Sequence, residues 1–443
     1  MFLARDATGT RRAGIGLSAL VLMVVFLATL TSSNDTSSPS FWCIACGEFG
    51  GLDVMNNIVL FLPLGFAFAL ASGRRWGSVL ACVAVTTFIE SMQVRVVPGR
   101  DSSLSDLLAN SLGGLLGVEL AVRRALLLRP RGHAATVLAT AGAAAFGLLT
   151  TLTSLGLRPA SIPWSLWIQW TPERASFEPF TGELLDFKLD TVDLPRAFYP
   201  PRSLGLDRML ARPGWHATVT LRTAGVRRRR SVIARIAEEF TVLVSIEQHG
   251  WDLACEAKTR SADFRFRSPQ VALPDALAPT GLTPSRVQFT CAREGNTLVA
   301  AIDDRQEVLR LSPSLGWVLL DPFRQKMPQY VWFGALWLMA LAFPAGYWVG
   351  CCAEDRSDDG ATRRDSLGGP FIALGALAIA FLIGLLIVPM LAGTAPAAWW
   401  EWASAAVGAL AGSGAAWLWR GWTARLPVRR GGASVTAVSD PVR

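Results

Sequence analysis

Asp53-Val-Met-Asn-Asn57-Ile-Val-Leu-Phe-Leu-Pro63-Leu-Gly65 opens an apolar run that continues to residue 72. A helix that crosses the hydrocarbon core of a bilayer takes roughly 20 residues, and this run has that length. Similar runs lie at about 14–31, 77–93, 104–122, 134–156, 329–350, 369–393 and 398–420. The runs at 77–93 and 104–122 are short and end in polar residues, which puts their outer turns at the membrane interface. The spacing predicts about eight transmembrane helices.

Composition agrees. The chain of 443 residues is 51% hydrophobic and 17% charged, against about 25% charged in an ordinary soluble domain. That excludes a disordered chain and argues against a single water-soluble enzyme. The formal charge of +8 is carried by arginine, the only lysines being Lys188, Lys258 and Lys326. Residues 157–328 differ in character: charge, proline and short alternating stretches replace the apolar runs. The expected organisation is a membrane domain at 1–156, an inserted soluble domain at 157–328, a three-helix membrane region at 329–420 and a basic tail at 421–443.

Arginine placement predicts the orientation. Arg5, Arg11, Arg12, Arg74, Arg75, Arg123, Arg124, Arg129, Arg131, Arg356, Arg363, Arg364, Arg420, Arg425, Arg429 and Arg430 fall on one side, while on the other 32–53 and 394–400 hold none and 94–103 holds only Arg95 and Arg100. The positive-inside bias puts both termini in the cytoplasm and the 157–328 domain outside a bacterial cytoplasmic membrane. The first run has a basic start and an apolar core like a signal peptide, but 31–40 lacks a small-residue cleavage site, so it reads as an uncleaved anchor.

The polar residues inside the runs carry the functional reading. Asp53 and Asn57 are four apart, Glu90 and Gln93 three, Asp106 and Asn110 four, so each pair shares a helix face. Alternating spans bring all three pairs to the same outer level, with Arg100 on the short loop between the third and fourth helices. Ionisable groups in lipid cost ~2.5 kcal/mol or more, so they are expected to face each other or a wet cavity. One cluster of Asp53, Asn57, Glu90, Gln93, Arg100, Asp106 and Asn110 is predicted, either as a purely structural network or as a ligand-facing site. Ser103-x-x-Asp106 also has the form of a capping box. Pro63 is expected to kink the second helix, and Gly65, Gly113, Gly114 and Gly117 to allow close helix packing.

These residues resemble the VanZ family: Asn57 before Phe61-Leu-Pro63-Leu-Gly65, then Ile89-Glu90-Ser-Met-Gln93, Arg100, and Asp106-Leu-Leu-Ala-Asn110-Ser-Leu-Gly113-Gly114-Leu-Leu-Gly117. The resemblance covers about 14–156. Asp101-Ser-Ser-Leu-Ser105 is richer in serine and less acidic than the family's usual linker. A member of that family is associated with low-level teicoplanin resistance, so the resemblance implies a cell-envelope role rather than a particular reaction.

Within 157–328, alternating segments recur at 215–221, 231–236, 240–246, 251–256, 262–267, 287–292, 297–302 and 307–311, which predicts an antiparallel β-sandwich. The stretch from Phe240 through His249-Gly250 to Cys255, and the hairpin from Val287 to Ile302 ending at Asp303-Asp304, resemble concanavalin-A-like or LamG-like jelly rolls over about 177–320. That resemblance implies glycan binding. Trp215, Trp251 and Trp317 are candidate sugar contacts or core residues, and Asp303 and Asp304 candidate Ca²⁺ ligands or solvated turn acids. Arg227 to Arg230 is a basic run with a solvated-loop reading or an anionic-surface reading. Cys43 and Cys46 are candidates for one disulfide. Cys255 and Cys291 are either a second disulfide or two buried thiols.

No G-x-S-x-G, Walker or H-E-x-x-H motif is present, and His133, His216 and His249 are scattered. No metal, cofactor or nucleic-acid partner is implied; membrane lipid and a lipid-linked glycan or envelope polysaccharide are. The favoured expectation is binding or handling of such a glycan. An enzyme using Glu90 or Asp106 as acid or base, and a scaffold that displays the sandwich, are the alternatives.

Overall fold

The computed structural model describes residues 2–30, 42, 49–97, 103–163, 165–173, 178–196, 199, 204–223, 230–238, 241–277, 285–320, 327–352 and 368–424. Arg100, Cys43, Cys46, Arg227 to Arg229, Arg356, Arg363, Arg364, Arg425, Arg429 and Arg430 lie outside them. The helices of the N-terminal part are α1 (Phe2–Thr29), α2 (Gly50–Ser72), α3 (Arg75–Arg95), α4 (Leu104–Val122), the short α5 (Arg124–Leu128) and α6 (His133–Gly156). Gly73 ends α2 in the left-handed region (φ 66°), its N–H bonded to Ala69 O.

Strands follow: β1 (Trp167–Trp170), β2 (Glu183–Leu189), β3 (Val192–Asp193), then the short helix α7 (Leu206–Leu210), β4 (Gly214–Arg222), β5 (Arg230–Glu238), β6 (Thr241–His249), β7 (Asp252–Ala257), β8 (Gln270–Leu273), β9 (Arg286–Glu294), β10 (Thr297–Ile302) and β11 (Arg305–Arg310). The chain closes with α8 (Met327–Cys352), α9 (Gly368–Leu382), a π-turn Ile383–Ile387 that continues into α10 (Val388–Ala392), and α11 (Trp399–Ala424). The π-turn precedes Pro389, which has no N–H to bond the carbonyl of Leu385. That carbonyl accepts from Ala397 N instead, at 2.8 Å.

Among the described residues six helical stretches are long and apolar enough to span a bilayer: Gly9–Thr29, α2, α3, α6, Tyr330–Cys352 and Gly368–Ala392. Two other long helices, α4 and α11, are not among the six and carry Asp106, Asn110 and Glu119, and Glu401 and Arg420, respectively. α2 packs closely on α4. A Cβ at Gly65 would meet the backbone of Gly114, one at Gly113 that of Ile58, and one at Gly117 Leu62 O and Phe66 N. α8 and α11 use the same device at Gly346, Gly408 and Gly412.

The strands form two antiparallel sheets, β1-β5-β6-β7-β8 and β11-β10-β9-β4-β2-β3. They share one core, with Phe187 and Phe289 from one sheet and Ile233, Ile236 and Ile246 from the other fully buried. Cys255 of β7 and Cys291 of β9 form a disulfide between the sheets. This is the predicted sandwich with several differences. It includes β1, β2, β3 and β8, none of which is among the alternating segments read from sequence. Residues 262–267 are not a strand: Arg260–Phe264 is a 3-10 turn that ends with Arg265 at φ 58°. Trp215 is buried, and Trp251 and Trp317 pack against the core, so none of the three stands out as an exposed sugar platform. Asp303, at φ 49°, and Asp304 form the two-residue turn joining β10 to β11.

The sandwich is fastened to the helix ends on one side. Arg293, 2% exposed, donates to Leu157 O at the end of α6, and burial lowers its guanidinium to about 10. Arg260 N donates to Arg158 O at 2.9 Å, and Tyr330 Oη of α8 to Gln270 O at 2.8 Å. Glu401, buried at the start of α11, accepts from Ser312 Oγ and Ala398 N, both at 2.5 Å. The turn after Phe264 reaches α2: Leu52 N donates to Arg265 O at 3.3 Å, and the Arg267 guanidinium lies 4.7 Å from the Phe49 ring.

Candidate functional site

α4 begins at Ser103 because its hydroxyl accepts the Asp106 N–H at 3.1 Å, satisfying one of the helix's orphan donors. In a capping box the acid at the third helical position returns to the cap N–H. Here a different acid does so. Ser103 N donates to Glu90 Oε2 of α3 at 3.1 Å. Asp106 is thereby available to a second helix, and Asn57 Nδ2 of α2 donates to its Oδ1 at 2.6 Å. Glu90 and Asp106 are thus joined through Ser103 and tied to α2 through Asn57.

Asn110, one turn deeper, donates to Thr86 Oγ1 at 2.9 Å. Thr86 lies four residues before Glu90 and shares its face. Gln93 turns away from the acids and donates to Thr29 O at the end of α1, at 2.9 Å. Asp53 sits in the first turn of α2, one turn above Asn57. Asn57, Glu90, Gln93, Asp106 and Asn110 therefore form a string of three separate links across α1–α4, Asn57–Asp106–Ser103–Glu90, Asn110–Thr86 and Gln93–Thr29, rather than one knot. Helical spacing from Glu90 exposes Thr86 in the sequence, whereas nothing local marks Thr29.

Glu90, Gln93 and Asn110 are each under a tenth exposed. Among the described residues, Gln93 Oε1 and Asn110 Oδ1 are buried acceptors with no hydrogen-bond partner. An unpaired buried acceptor costs about 1–3 kcal/mol, so the string offers a donor-bearing ligand two places to bond. It presents two carboxyls, three amides and hydroxyls. That set suits a ligand with several hydroxyl or N–H groups.

The architecture is that of a helical membrane protein carrying a β-sandwich. Residues 7–128 match the VanZ/LLP1 family model, so the part of the chain that holds the polar string is VanZ-like. The match stops before the sandwich. No curated protein and no solved structure matches the chain.

Proposed function

We propose that this VanZ-like protein sits in the cytoplasmic membrane of a bacterium and binds or handles a lipid-linked or envelope glycan at the outer end of α1–α4, with the sandwich beside it outside the cell. In this reading all eight long helices span the membrane and both termini are cytoplasmic. Arg74, Arg75, Arg123, Arg124, Arg129, Arg131 and Arg420 support it, since they gather at the helix ends away from the sandwich. The Cys255–Cys291 disulfide supports it too, because such bonds persist in oxidising compartments.

The observation that carries the reading is the string from Glu90 through Ser103 and Asp106 to Asn57, with two unmatched acceptors beside it, under a sandwich clasped to α2. Buried acids and amides in lipid-facing helices are expensive, and they mark ligand paths by default. Binding is favoured over catalysis because the string has acids and amides but no nucleophile activated by a base.

The test is binding of a polyprenyl-phosphate-linked saccharide to the full chain in nanodiscs, read by native mass spectrometry. Glu90→Gln and Asp106→Asn are expected to weaken it about tenfold or more. Unchanged binding in both, with the protein folded, overturns the proposal.

A further inference from the structure

The geometry points to a binding cleft for an acidic saccharide at the open edge of the sandwich, between β1 and β2. The inference assigns the sandwich its part in the reading above and rests on that reading only for the choice of a saccharide.

A cleft of about 610 Å³ opens where β1, the outermost strand of its sheet, faces the start of β2. That is within the range of ~300–1,000 Å³ typical of small-ligand sites, and it lies at the other end of the five-stranded sheet from β8, where Tyr330 of α8 docks. Its wall includes Gln169, Trp170, Thr171, Glu183 and Arg196. Three features single it out. The first is charge. The Arg196 guanidinium sits 5.0 Å from the Trp170 ring centroid and donates to Leu184 O at 3.3 Å, and no carboxylate among the described residues pairs with it. The acid in the same wall, Glu183, is occupied by Arg222 at 2.7 Å. Among the described residues the cleft therefore holds one uncompensated cation, fixed on an aromatic plane.

The second is an unmet donor: Trp170 Nε1–H is buried with no acceptor among the described residues. The third is strain. Thr171 holds φ 44° while its N–H is tied to Ile233 O at 2.8 Å. A β-branched residue in that region is a true outlier, and such strain collects where a structure holds a ligand. Guanidinium forks pair with carboxylates in two parallel bonds, and Gln169 and Glu183 supply an amide and an acceptor for hydroxyls. A carboxylate-bearing, hydroxyl-rich ring satisfies this set; a neutral apolar ligand does not.

The experiment titrates the detergent-solubilised full chain with trigalacturonate and, separately, with maltotriose, following tryptophan fluorescence and heat. Trigalacturonate is expected to bind at least tenfold more tightly than maltotriose. Arg196→Gln is expected to cost tenfold or more, and Arg196→Lys to retain part of the affinity, while Arg305→Gln, on β11 at the far edge of the other sheet, leaves affinity within about twofold. No trigalacturonate binding, equal affinity for the two sugars, or unchanged affinity in Arg196→Gln overturns the inference. If Arg196→Gln does not fold, Gln169→Ala takes its place, with unchanged affinity again the overturning result. Because these probes carry no lipid, failure here with lipid-linked binding intact sinks the cleft alone. Binding here with Glu90→Gln and Asp106→Asn silent in nanodiscs sinks the helix site alone.

Discussion

The two helical parts of this molecule solve packing alike and treat buried polarity differently. α2 on α4 and α8 on α11 both approach through glycines that leave room for no side chain. Yet among the described residues the fully buried acid of the second part, Glu401, is used up by Ser312 and Ala398 N at the seam with the sandwich, and the buried atom left unmatched in α8 is a donor, Trp337 Nε1. In α1–α4, two acids are linked in series and two amide acceptors are left over. The same packing device thus serves a joint in one place and a site in the other. A helix bundle needs close contact to persist in lipid, but it does not need unmatched acceptors.

The largest expected effect tests the shared device. Gly117→Val and Gly412→Val each drive a side chain into backbone, at Leu62 and Phe66 in one case and at Phe343 and Tyr347 in the other. Backbone cannot yield as a side-chain tip does, so each loses more than about 3 kcal/mol. Both variants are expected to fail to accumulate, whereas Gly375→Val, with open space around it, melts within about 0.5 kcal/mol of the parent. Thermal melting in detergent decides. A stable Gly117→Val would break the parallel between the two parts.

Next comes the sandwich. Cys255 and Cys291 are 36 residues apart in sequence, and closing a loop of that size is worth about 4 kcal/mol in the chain-entropy account. The double Cys→Ser variant is expected to lose that much by denaturant unfolding of the sandwich signal, with helix content unchanged.

The third prediction sharpens the comparison. Glu401→Ala removes both acceptors of a buried pair of donors and is expected to cost about 3 kcal/mol. Glu90→Gln keeps an amide oxygen for the Ser103 N–H and is expected to cost under about 1 kcal/mol in melting, while losing the ligand. If the two cost the same, the string in α1–α4 is another joint.

Much of this was legible in the sequence because length and periodicity are enforced locally. The run read at 104–122 coincides with α4, and the alternation at 215–221 with β4. β2 escaped because a bulge between Leu184 and Asp186 breaks its alternation. Residues 262–267 alternate but turn, since their backbone is committed to α2 through Arg265 and to the core through Ser261, which donates to Arg267 O. At the site, helical spacing places Glu90, Asp106 and Asn57 at one level. It does not say which acid caps Ser103, nor that Gln93 turns to Thr29; those choices are made by packing between helices. Nothing local marks Glu401 as buried, since its partner Ser312 lies 89 residues away.

The smallest effect is visible only in acid and belongs to the sandwich. Burial by itself would raise the Glu247 carboxyl above its ordinary value. The His249 hydrogen bond, together with the charge and paired hydrogen bonds of Arg230, outweighs that and holds it below. A carboxylate whose folded pKa is depressed contributes stability that is complete above its unfolded value, about 4.3, and is lost as pH falls through the folded one. The sandwich is therefore expected to loosen below about pH 4 rather than near neutrality. Both cysteines of the disulfide are fully buried, so its reduction reports opening of the sandwich. A phosphine reductant, which works in acid, is expected to reduce it at a steady slow rate above pH 5 and progressively faster below. In Glu247→Gln, which has no proton to gain, the rate is higher at neutral pH and its acid rise is flattened. An equally steep rise in that variant would assign the acid sensitivity to another carboxylate and leave the Arg230–Glu247–His249 group as packing alone.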